Sequence, residues 1–110
     1  VKTSLALACL LITSLAQAQV QTTHPCSAAA LKQAEQLLAF SYGPDERIAI
    51  DKSVKLLAPI KNPANKSQSF DVLEVWGNIY KGQYRMHLIY AQMKGECLLM
   101  GQEILAFSNL

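Results

Sequence analysis

Glu74, Trp76, Arg85 and His87 are the side chains of this 110-residue chain whose types and spacing could do chemistry together. They occupy alternate positions in two strand-like runs, Phe70 to Tyr80 and Gln83 to Met93, so pairing of the runs puts all four on one face. A carboxylate, an imidazole and a guanidinium on neighbouring strands are the parts needed to hold an anion or to pass a proton. The plainer role is that of cross-strand pairs that keep a sheet surface wetted, each contributing about 0.2–1 kcal/mol. No nucleophile is spaced as Ser-His-Asp or Cys-His catalysis requires, and no glycine-rich phosphate loop is present, so no residue is assigned a catalytic role. A metal site would need Cys26, Cys97, His24 and His87 to converge, and His24-Pro25-Cys26 is not a ligand spacing. No metal and no cofactor are expected.

Net charge excludes other classes. With 10 Lys+Arg against 8 Asp+Glu and 51% hydrophobic residues, the chain is neither a strongly basic nucleic-acid binder nor a disordered polyelectrolyte. Only Lys81, Arg85 and Lys94 cluster, which is too little to neutralise a phosphate backbone, so nucleic acid is not expected as a partner.

Residues 1–18 read as a secretory signal peptide. Lys2 supplies the basic start, Leu5 to Leu15 the apolar core, and Ala16-Gln17-Ala18 the small-residue cleavage site. The run is too short to span a bilayer, which needs roughly 20 apolar residues, so no stable membrane anchor is expected once the signal is removed. The expected location is the periplasm, with the extracellular space as the alternative. Removing 18 residues from 110 leaves 92, enough for one small domain. Cys9 departs with the signal, leaving Cys26 and Cys97 in an oxidising compartment, where a disulfide between them is expected. Residues 19–25 carry almost no apolar side chain and read as a flexible leader to a single disulfide-tied domain over 26–110.

The elements that must position these residues follow from the pattern. Ser27 is suited to cap a helix running from Ala28 to about Phe40, with Leu31, Ala34, Leu37 and Leu38 on its apolar side and Gly43-Pro44 as its stop. Alternation from Ile48 to Ile60 suits one interrupted or two short strands, with Pro59 marking an edge; a short helix over 45–52 is the alternative. Residues 61–69 read as a loop rich in turn formers. Phe70 to Tyr80, Gln83 to Met93 and Glu96 to Phe107 then form two consecutive hairpins, turned at Lys81-Gly82 and Lys94-Gly95.

Those turns set the facing pairs, with His87 opposite Trp76 and Arg85 opposite Asn78. One face carries Leu73, Val75, Gly77, Ile79, Tyr84, Met86, Leu88, Tyr90, Cys97, Leu99, Gly101, Glu103 and Leu105, and is the face for the helix. A bulge near Gly101 or an edge position would relieve the misplaced Glu103. The other face carries Glu74, Trp76, Asn78, Gln83, Arg85, His87 and Ile89, then Leu98, Met100, Gln102 and Ile104. It is too apolar for a sheet face left entirely to water.

The expected architecture is α+β: one main N-terminal helix on a roughly four-stranded antiparallel meander. This order of elements resembles the cystatin-like or nuclear-transport-factor-like layout, in arrangement alone. The function read from it is a small exported, non-enzymatic protein that binds another protein, or a second copy of itself, through the face formed by Glu74, Trp76, Asn78, Arg85, His87, Ile89 and Met100. The alternative is a small-molecule carrier or small hydrolase using a helix-sheet cleft lined by Tyr84, Met86 and Tyr90.

Overall fold

The computed structural model describes residues 23–107; the expected signal peptide and residues 19–22 of the expected leader lie outside them. The described residues form one α-helix, α1 (Ser27–Tyr42), then β1 (Ile48–Ile50), β2 (Lys55–Leu56), β3 (Ile60–Asn62), β4 (Asn65–Ile79), β5 (Gly82–Met93) and β6 (Glu96–Phe107). The sheet is antiparallel in the order β1-β4-β5-β6, with β2 and β3 also pairing with β4. The fold is α+β, with one helix laid across a meander, as the alternation and the hairpin turns predict.

The helix runs through strong helix formers and ends at Gly43, whose φ of 85° only glycine adopts freely. Its start differs from expectation. Cys26, not Ser27, holds the N-cap position, and no side chain of the cap residue accepts a hydrogen bond. His24 supplies the missing partner: its Nδ1 accepts the Cys26 amide at 3.0 Å and its carbonyl accepts the Ser27 amide at 2.9 Å. Because Nδ1 is an acceptor, Nε2 carries the proton, and it donates to Asp71 Oδ2 at 2.9 Å; the Gln92 amide donates to the same oxygen. His24 is thus held by β4 and β5, two residues before the disulfide of Cys26 with Cys97, whose Cα atoms are 5.7 Å apart.

Below the helix lies the core. Ala30 and Ala34 are fully buried, and their short side chains bring the helix backbone close to the sheet, where Leu37 and Leu38 meet Leu73, Val75, Met86, Leu88 and Tyr90. Gly77 makes the closest approach possible, since a Cβ there would stand 2.7 Å from Leu38 Cδ1.

Three expectations need correction. Residues 61–69 are not a loop: β3 and β4 pair through them, reversing at Pro63-Ala64, with Asn62 Oδ1 accepting the Ala64 amide at 2.9 Å. The polar run obscured a hairpin whose side chains are mostly in water, because backbone pairing there needs no apolar partner. The first β4-β5 turn is Tyr80-Lys81 instead of Lys81-Gly82, and Tyr80 takes the positive φ of 54° while its ring lies 5.5 Å from both the Arg47 guanidinium and the Lys81 ammonium. Pairing therefore slides by two residues, which keeps the faces but puts Glu74 opposite His87 and Trp76 opposite Arg85. The Lys94-Gly95 turn forms as expected, both residues at positive φ as a type I′ turn demands.

The third correction is in the faces of β6, and it comes from the bulge expected near Gly101. Its pairing with β5 shifts by one residue between Ile89 and Tyr90, so Tyr90 faces Leu99 while Ile89 faces Gly101, and Met100 is the extra residue of a bulge. Beyond it the faces exchange. Ile104 packs against the core, Gln102 Oε1 accepts from the side-chain Nε2 of Gln33 on α1 at 3.0 Å, and Glu103 and Leu105 stand on the outer face, not the helix face.

Two outcomes follow. A Cys26→Ala/Cys97→Ala chain, compared with the wild type by urea denaturation, is expected to lose about 2–5 kcal/mol of unfolding free energy, because the cross-link closes a 71-residue separation. Gly77→Ala is expected to cost about 1–3 kcal/mol in the same assay, the range for overpacking a filled core.

Candidate functional site

The sheet has one face under the helix and an outer face on which the pairing stacks residues in rows. Glu74, His87 and Glu103 form one row, Trp76, Arg85 and Leu105 the next, and Asn78, Gln83 and Phe107 the third, with Ala49 of β1 beside Asn78. Val72, Ile89 and Gly101 form the row on the other side of Glu74, where Ile89 lies over the glycine: its Cδ1 would be 3.4 Å from a Cβ there.

Glu74 organises the first two rows. Its Oε1 accepts the Trp76 indole N–H at 3.0 Å and its Oε2 accepts His87 Nε2–H at 2.9 Å, so one carboxylate orients both rings. Burial raises the Glu74 carboxyl pKa, but the hydrogen bonds from His87 and Trp76, with the charges of His87 and Arg85, outweigh it and hold the group below its ordinary value. On the far side of the imidazole, His87 Nδ1 lies 3.9 Å from Glu103 Oε2, too far for a hydrogen bond.

With its N–H fixed, the Trp76 ring leans across β5 and stacks on Phe107, centroids 5.6 Å apart and planes at 27°, while the Arg85 guanidinium sits 5.8 Å from the Phe107 centroid. An open groove of about 420 Å³ is bounded by Trp76, Asn78 and Gln83 with Ala49, Ile50 and Asp51 of the β1 edge. Trp76, Arg85, Leu105 and Phe107 make a platform with a cation set among apolar surfaces. A Glu-His-Glu row offers proton exchange, but no hydroxyl or thiol nucleophile lies in these rows. Among the described residues no group of three or more His, Cys, Asp and Glu side chains is arranged to hold a metal ion.

The structure brings Glu74, Trp76, Arg85 and His87 together, with Asn78 one row on and Ile89 one row back. Met100 stands apart at the bulge, 53% exposed. Phe107 and Glu103, absent from the candidate surface read from sequence, belong to it; carrying the bulge expected near Gly101 through the rest of the strand shows this. The three residues of the expected cleft are distributed differently. Met86 and Tyr90 are buried in the core, and burial pushes the Tyr90 hydroxyl pKa up; Tyr84 is half-buried, its ring 4.6 Å from that of Tyr42.

Comparison with protein-family profiles, with curated proteins and with solved structures finds no match to the chain.

Glu74 gives the site a pH signature. Its pKa is depressed in the folded state, so the stability it contributes is present above the ordinary glutamate pKa and lost as pH falls through the folded value. Urea midpoints followed from neutral pH down through the carboxylate range should therefore fall more steeply for the wild type than for Glu74→Gln. At neutral pH the variant should be less stable by about 1–3 kcal/mol, the range for hydrogen bonds to a charged group.

Proposed function

We propose that this is a small exported, non-enzymatic protein that acts by engaging another protein through the outer sheet face. The observation that carries the reading is the Trp76-Phe107 stack with Arg85 beside it, on a face that the helix does not cover. Tryptophan and arginine are among the residue types that dominate binding energy at protein interfaces, and phenylalanine is enriched there. Glu74 fixes the indole before any partner arrives, which removes part of the ordering cost of binding. A suitable partner brings an aliphatic or aromatic anchor for the platform and a carboxylate for Arg85.

Export is supported by the signal-like residues 1–18 and by the Cys26–Cys97 disulfide, which suits an oxidising compartment such as the periplasm. Among the described residues no helix is long and apolar enough to cross a membrane. The carrier or hydrolase reading has less support, because Met86 and Tyr90 help to fill the core where its cleft would lie.

Affinity capture from envelope extract on immobilised chain tests the proposal. Wild type and Trp76→Phe are expected to retain the same protein. Trp76→Ala should bind it at least about tenfold more weakly, as loss of a central anchor does. Equal retention by all three, or by none, counts against the reading.

A further inference from the structure

The two edges of the sheet are built in opposite ways. One edge consists of β1, β2 and β3, of 3, 2 and 3 residues, interrupted at Pro59 and carrying Lys52, Lys55 and Lys61 in or between the strands. Short strands, proline and lysine are the devices by which sheets refuse further pairing. The other edge is β6, 12 residues long, without proline or lysine, its only charges Glu96 and Glu103. Leu98, Leu99, Met100, Leu105 and Phe107 on it are 39–53% exposed. Among the described residues β6 pairs on one side only, so alternate backbone N–H and C=O groups point outward along it.

We propose that β6 pairs with β6 of a second copy of this chain, antiparallel about a two-fold axis, joining two sheets into one. The bulge at Met100 limits the regular part of the edge to Gly101–Phe107, and the register that pairs this whole segment with itself is centred on Ile104. That register opposes Gly101 to Phe107, Gln102 to Ala106 and Glu103 to Leu105, and every pair lies on a common face. It separates the two Glu103 carboxylates, whereas a register slid to centre on residue 103 would set them against each other. The opposite edge cannot supply such a partner, being too broken to present seven consecutive residues. Closed two-fold pairing uses up both free edges and leaves no open end for a filament. This inference stands apart from the protein-binding reading, although it would set two Trp76-Phe107 platforms on one continuous surface.

Leu105 tests both the dimer and its register. Sedimentation velocity over a range of protein concentrations should show a monomer-dimer equilibrium, with alternate amides of Gly101–Phe107 slowed in hydrogen exchange as the dimer forms. Leu105→Glu sets a second carboxylate directly opposite each Glu103 and is expected to weaken the dimer about tenfold or more; Leu105→Lys should leave it equal or tighter. Within one chain the effects run the other way, since residue 105 faces Arg85, so loss of the dimer in Leu105→Glu is not a loss of fold. Trp76→Ala should leave the dimer intact whatever it does to partner capture. A chain that stays monomeric throughout, a dimer whose β6 amides exchange freely, or equal responses to Leu105→Glu and Leu105→Lys would each overturn the proposal.

Discussion

One helix covers one face of the sheet, and most of the molecule is arranged around that constraint. A single α1 has room for a core only where it comes close, and it comes close because Ala30 and Ala34 face the sheet and Gly77 admits Leu38. The helix start is held twice, by the covalent link to β6 and by the His24 ring reaching β4 and β5. A small domain with little apolar area to bury depends on such ties, since about 5–15 kcal/mol separates folded from unfolded chains in general.

The outer face follows from the same constraint. Among the described residues no second helix lies over it, and the order of its Glu74 and Trp76 rows comes from contacts along the sheet itself. Glu74 provides them by accepting from Trp76 and His87 at once, and Phe107 provides them by receiving the indole across β5. Some apolar surface is left in water in consequence, and this is what a binding protein can use.

Much of this was legible in the residues. The helix, its glycine stop, the cysteine pair, the three long strands and the Lys94-Gly95 turn all follow from local chemistry that acts over a few residues. What was not legible depends on competition between nearly equal local choices. Tyr80 taking a left-handed conformation instead of Gly82 taking a turn position moved the register by two, and with it the partners of His87 and Arg85. The polar residues 61–69 concealed a hairpin because their side chains carry no period when both faces are wet. The candidate site was found through its β4 and β5 residues and missed through β6, where the bulge expected near Gly101 reverses which of the following side chains share the face.

That bulge divides β6 into two segments of opposite phase. Before Met100 the odd-numbered residues Cys97 and Leu99 point toward the helix, and after it the even-numbered Gln102 and Ile104 do. Removing residue 100 would work like a frameshift in three dimensions: every side chain after it would change compartments, driving Glu103 into the apolar interior and lifting Ile104 out into water. The Met100 side chain is itself exposed, so its importance lies in being counted, and a methionine there is replaceable in kind but not in number.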